Sequence, residues 1–391
     1  MKYDFDKTID RSGSDSVKYD LRKAYFGRED VIPLWVADMD FETPDFIIQA
    51  MQKRLQHPFL GYGIRSKSYL DTISKWVRSR YQWEIENNDI SFSPGVVPGL
   101  MMAVLAFTDP QDKILVQPPV YFPFYITIKD NNRELVYNEL IETNNGYEID
   151  FEDLEAKFQT GVKMFIMSSP HNPVGRVWSL NELERIVDLC EQYNVLIVSD
   201  EIHADLTFKP NKHIPIASIS EAAAKRTLTF MAASKTFNIA GLSTAFVIIQ
   251  QKELLEKYNK ILDATHLFPG NIMGAIATKT AFDEGNSWRE QMLDYVHGNI
   301  DFVDTYLKKN LPEIHFHKPQ ATYLLWLDFR ELKWEQKKLV NFLIHKARVG
   351  LNDGSIFSPG GSGFMRLNVA CSIEVLEKAL GQIKDAFNAK Q

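Results

Sequence analysis

A chain of 391 residues, 45% hydrophobic and 24% charged, has the make-up of an ordinary globular protein long enough for two domains. Its net charge of -7 gives no basic field, which argues against nucleic acid as a partner, and no stretch approaches the ~20 apolar residues that span a bilayer. Cys190 and Cys371 are the two cysteines; they support neither a disulfide framework nor a zinc site of ordinary spacing, so no metal is expected.

The N-terminal MKYDFDKTIDRSGSDSVKYD is polar and acidic, with no apolar run to serve as a signal peptide, and a cytoplasmic protein is expected. From there the chain alternates short apolar runs with amphipathic segments. KILV (113–116), VKMFIMS (162–168), VLIVS (195–199), TLTFMA (227–232) and TAFVII (244–249) have the length and bulk of buried strands. Between the second and third, Ser179 and Glu182 form a capping box ahead of Leu183, Ile186, Val187 and Cys190 at helical spacing. A strand, a helix and a strand in that order predict an α/β fold with a mostly parallel sheet and helices on both faces. The last hundred residues differ: TYLLWLDF (322–329), the helical KKLVNFLIHKA, the short FMRLNVA (364–370) and a closing helix from about Ser372 suit a smaller α+β domain. The expected organisation is a large domain over 51–285, a small one over 286–391, and residues 1–50 packing with the small domain.

Ligands of open α/β sheets bind beyond the carboxyl ends of the strands, so the residues that follow each run are the candidates. Asp200, Glu201, Ile202 and His203 follow VLIVS; Ser234 and Lys235 follow TLTFMA; Asn172 follows VKMFIMS; Tyr121 follows KILV. Each type alone has an ordinary reading, as a helix cap, a solvated lysine, a turn former or a packing aromatic. Together they match the needs of pyridoxal 5'-phosphate. That cofactor takes an amine for its aldehyde, an anion beside its pyridine nitrogen, an aromatic against its ring and a donor for its phenolic oxygen. In SPGVVPGL (93–100) a glycine turn opens an apolar helix whose first N–H groups, at Val96 and Val97, could face a phosphate.

SSPHNPVGRVW (168–178), VSDEIHADL (198–206) and ASKTFNIAGL (233–242) resemble the fold-type I pyridoxal-phosphate enzymes, the aspartate aminotransferase superfamily. VIPLWVADMDF (31–41) and LGYG (60–63) are similar to its cystathionine β-lyase branch, the MalY/PatB-type carbon–sulfur lyases. The resemblance runs from about Arg11 to the C-terminal helix. It implies Lys235 as the Schiff-base lysine and proton shuttle, Asp200 as partner of the pyridine nitrogen, Asn172 as donor to the phenolic oxygen, and Tyr121 stacked on the ring. It implies Ser234 at the phosphate, Arg366 on the substrate α-carboxylate, and Tyr62 reaching the cofactor phosphate of a neighbouring subunit in a homodimer with shared sites. Three positions depart from the aminotransferases of this fold. Ala232 stands where Ser or Thr is common, Ser243 where Arg is common, and His203 where Tyr is often found. The resemblance implies β-elimination from a sulfur amino acid, with transamination as the alternative, and a pyridoxal-phosphate-binding regulatory protein as a reading from another class.

Overall fold

The computed structural model describes residues 2–389. Seven strands make the main sheet: β1 (Ile90–Ser93), β2 (Lys113–Val116), β3 (Glu134–Tyr137), β4 (Met164–Ser168), β5 (Leu196–Asp200), β6 (Thr227–Met231) and β7 (Ala245–Ile248). Their spatial order is β1-β7-β6-β5-β4-β2-β3. Strands β2 to β6 run parallel, and β7 is antiparallel to both its neighbours.

The runs that announced the central strands are continuous because both sheet faces are covered. Successive side chains point to opposite faces. Ile114, Val116, Met164, Ile166 and Val198 pack with Leu100, Val104, Tyr258 and Leu262 of helices Val96–Phe107 and Lys252–Ala264. Leu115, Phe165, Met167 and Ile197 pack with Leu154, Phe158, Leu183 and Ile186 of helices Phe151–Gln159 and Leu180–Gln192. The Ser179–Glu182 capping box is formed, and Cys190 is fully buried on the inner face of its helix. The two strands that the apolar pattern did not announce, β1 and β3, are the sheet edges, with serines alternating through ISFS and a glutamate opening ELVY. A further correction concerns Asp200, which is the last residue of β5 rather than the first beyond it.

In the last hundred residues β8 (Leu324–Asp328), β9 (Asn352–Asp353) and β10 (Phe364–Asn368) form an antiparallel sheet in the order β8-β10-β9. The segment read as one helix is Gln336–Phe342 followed by a π turn, Leu343–Ala347. Ser372 stands just before the closing helix, Ile373–Asn388, its hydroxyl turned to Thr8 rather than to the helix end. Ile32–Pro33 pairs in parallel with Val349–Gly350, which ties the N-terminal segment to this block. No helix among the described residues is long and apolar enough to cross a membrane.

The start of helix Val96–Phe107 is pressed against β6. A Cβ at Gly99 would collide with the Phe230 ring and lie 2.6 Å from Ser93 Oγ. Gly99→Ala should therefore destabilise the protein by about 1–3 kcal/mol, seen as a lower urea midpoint with an unchanged slope.

Candidate active site

The carboxyl ends of β2, β4, β5 and β6 share one rim of the sheet. Because β7 runs the opposite way, its amino end meets the same rim and brings Ser243 and Thr244 there. Strand β1 runs with the parallel set, and its end passes through Pro94 and Gly95 into helix Val96–Phe107. A cavity of about 320 Å³ opens at this rim, at the lower end of the ~300–1,000 Å³ usual for small-molecule sites. Val96, Val97, Tyr121, Asn172, Asp200, His203, Ser234 and Lys235 all line it, together with Ala37, Ser168 and Ser243.

Asp200 ends β5 and Lys235 follows the end of the adjacent parallel β6; the first is buried and the second partly so, with few protein partners. The Asp200 carboxylate accepts one backbone bond, from Ile202 N–H at 3.1 Å. Burial pushes its carboxyl up to about 7, opposed by that bond and by Lys235. Burial pushes the Lys235 amine down to about 8, with Arg366 adding to the effect and Asp38 and Asp200 opposing it. The Lys235 Nζ donates to the Ala37 carbonyl at 2.6 Å. His203, also buried, is driven down to about 3 and is a neutral imidazole at neutral pH; its Nδ1 has no hydrogen-bond partner.

Asn172 and Arg366 form a second unit. The Asn172 N–H donates to Ser168 Oγ at 3.2 Å, which fixes the residue beside the end of β4. Its Oδ1 accepts from Arg366 Nη1 at 3.1 Å, so the amide nitrogen is the end left to donate into the cavity. Arg366 lies mid-strand in β10, opposite Trp326 and Asn352. It stands behind Asn172, outside the cavity wall. Its other bonds go to Trp35 O at 3.2 Å and Asn352 Oδ1 at 2.5 Å, its Nε is unpartnered, and the guanidinium lies 4.9 Å from the Phe357 ring. All its bonded partners are neutral, and burial pushes its pKa down to about 10.

These residues fit pyridoxal phosphate on their own chemistry. A protonated ring nitrogen beside Asp200 would supply the cation that this buried carboxylate lacks, and would draw its pKa back down. At the other end, the helix N-terminus offers two free N–H groups: Pro98 has none, and Gly99 N–H is bonded to Gly95 O at 3.1 Å. That leaves Val96 and Val97, beside the hydroxyls of Ser234 and Ser243, for a phosphate. Lys235 is the one cation among the described residues lining the cavity, in line with Ser243 standing where the resemblance led to an expected arginine.

Two features escaped the sequence. The segment Leu34–Phe41 enters the site: Asn368 N and Nδ2 bond the carbonyls of Leu34, Val36 and Asp38, and Asn238 clasps Met39 and Phe41. Tyr323 also donates to the Ala37 carbonyl, at 3.1 Å. WVADMDF and ASKTFN contain the bonded residues, but nothing in either motif says that they meet. Tyr62 lies apart from the other candidates, fully exposed and outside the cavity.

The family model for aminotransferase class I and II matches residues 29–383. The chain is 41% identical to the cystathionine beta-lyase PatB of Bacillus subtilis over 98% of its own length and all of that protein. Among solved structures it is similar to pyridoxal-phosphate-containing cystalysin from Treponema denticola, with a TM-score of 0.97, 37% identity and full coverage of both chains. It is also similar to the pyridoxal-phosphate-bound C-S lyase of Staphylococcus hominis, with a TM-score of 0.91, 35% identity, and coverage of 99% of this chain and 98% of that one. Sheet order, the residues at the strand ends and full-length likeness agree: the chain belongs to the aminotransferase class I and II family, in the group that holds the cystathionine beta-lyase of Bacillus subtilis.

Proposed function

We propose that this chain is a pyridoxal-phosphate-dependent carbon–sulfur β-lyase. It converts cystathionine, cysteine or a cysteine S-conjugate to a thiol, pyruvate and ammonia. The observation that carries the reading is a buried amine and a buried carboxylate on adjacent strand ends, backed by a guanidinium with no carboxylate bonded to it. Likeness to a cystathionine beta-lyase over almost the whole chain supports sulfur as the leaving atom.

Bound in the cavity, pyridoxal phosphate supplies an aldehyde for the substrate amine and a protonated ring that accepts the electron pair released at Cα. Asn172 from the cavity wall and Arg366 from behind it hold the substrate carboxylate, which gives the buried guanidinium its counter-charge. Lys235, its amine lowered toward neutrality, takes the Cα proton. Asp200 holds a proton at the ring nitrogen, Asn172 donates to the phenolic oxygen, and Tyr121 forms one wall against the ring. His203 stays uncharged beside them. The N–H groups of Val96 and Val97 and the hydroxyl of Ser234 hold the phosphate.

The exposed Tyr62 belongs to a second copy's site in this reading. Leu55, Phe59, Leu60, Tyr62 and Ile64 form an exposed apolar stretch, and Leu267 and Phe268 add to it from the loop that shares cavities with Arg65. A clustered apolar surface of this kind marks a protein contact, and a homodimer would set Tyr62 against the partner's phosphate end.

Given cystathionine alone, the holoenzyme should release pyruvate and homocysteine in equal amounts. Pyruvate only when a keto acid is added, with that acid becoming an amino acid, would establish transamination. Cofactor binding with no turnover of any thioether amino acid would point to a regulatory protein. Arg366→Ala should lower kcat/KM on the order of 10²-fold. Covalent capture of the cofactor by cofactor-free protein requires neutral Lys235, so its rate should rise with pH and reach half-maximum near 8, not at the ordinary lysine value of 10.5; stopped-flow absorbance reads it. Mixing inactive Lys235→Ala subunits with severely impaired Tyr62→Phe subunits should restore activity, because some heterodimer sites then carry both native residues. Subunit exchange without recovery would remove Tyr62 from the partner's site.

A further inference from the structure

Next to Ala37, four charged side chains form a closed cluster. Lys18 is wholly buried and donates to Asp40 Oδ2 at 2.8 Å and to the Asp38 carbonyl at 3.2 Å. Arg11 bonds Asp38 Oδ2 at 2.9 Å, Asp40 Oδ1 at 2.8 Å and the Met39 carbonyl at 3.0 Å. Two cations thus face two carboxylates, and both cations also grip the backbone between them. Asn368 holds the carbonyls on either side of Ala37, at 2.7 Å to Val36 and 2.6 Å to Asp38. The Ala37 carbonyl faces the other way and is the point where Lys235 Nζ and the Tyr323 hydroxyl both donate.

A buried ion cluster is weak evidence for stability, since apolar residues of the same volume often serve as well. Its geometry supplies direction instead. We propose that Arg11, Lys18, Asp38 and Asp40 are positioning residues, which act through the Ala37 carbonyl to hold the Lys235 amine at a fixed place in the cavity. The inference rests on Lys235 being the cofactor lysine. Besides Asp38, the charged groups facing that amine are Asp200 at the end of β5 and Arg366 on β10, with neutral His203 beside them. Asp38 favours the charged amine, so removing its charge moves the titration of Lys235 to lower pH.

The test uses Asp38→Asn and the double variant Lys18→Met/Asp40→Asn, which removes a buried pair together and strands no charge. In cofactor-free protein, acetylation of Lys235 is followed against pH by peptide mass spectrometry, with exposed Lys252 as the internal reference. Asp38→Asn should lower the Lys235 midpoint by roughly half a unit or more and leave Lys252 unchanged. In holoenzyme, both variants should lose about tenfold or more in kcat, with KM and cofactor affinity within about threefold, since a misplacement near 1 Å at the reacting group can cost on the order of 10²-fold. A wild-type Lys235 midpoint in Asp38→Asn, or kcat losses that only follow the folded fraction by circular dichroism, would overturn the proposal. Borohydride reduction that placed the cofactor on a different lysine would overturn the underlying site assignment as well, and peptide mass distinguishes the two failures.

Discussion

Lys235 meets its acceptor, the Ala37 carbonyl, only because a segment some two hundred residues earlier in the chain is held within 2.6 Å of it. That constraint reaches far. Leu34 to Phe41 must bend where it does, so that its peptide groups can bond Gly350 on one side and Asn368, Ala370 and Asn238 on the others. Strand β10 must then lie alongside, and Arg366 on the same strand is thereby carried up to Asn172. One backbone stretch thus places the amine that would move the proton and the guanidinium that would hold the substrate.

The electrostatics follow from the same burial. Asp200, Arg366 and His203 are buried and Lys235 is partly so, and each is displaced toward its neutral form. Among the described residues, none is neutralised by a close protein ion pair, which would have removed its capacity to respond to a ligand. Contrast Asp205, equally buried but surrounded by Trp76 Nε1, Tyr81 Oη, Arg80 and Arg289. Its valences are filled from the protein, as befits a structural carboxylate. The difference between these two aspartates, five residues apart, is one of partners and not of depth.

What the sequence made legible was whatever local pattern controls. Fully buried strands announce themselves as apolar runs, and the rule that ligands sit past strand ends then named Tyr121, Asn172, Asp200, Ser234 and Lys235 without any distance measurement. The edge strands β1 and β3 stayed hidden because serines interrupt the first and a glutamate opens the second, which leaves neither a continuous apolar run. Ala37 and Tyr323 were invisible for another reason: a backbone carbonyl leaves no residue-type signature, and a buried tyrosine in TYLLWLDF looks like core. Ser243 was read as an absent arginine, yet the reversed direction of β7 puts its own hydroxyl at the rim. Arg366 was named through resemblance; its link to Asn172, 194 positions away, is a product of tertiary packing.

The two-residue ladder between Ile32–Pro33 and Val349–Gly350 has a bearing on synthesis. In a nascent chain Leu34–Phe41 is made long before its partners at 350, 368 and 370. Trp35 can pack early against Tyr25 and Phe26, and Phe41 against Phe5, but the peptide groups of the segment lack those later partners. The large sheet can assemble in the interval, from contacts between elements near in sequence. The catalytic pocket cannot, and its closure marks the end of folding: long-range pairings carry the greatest loop-closure cost and form late.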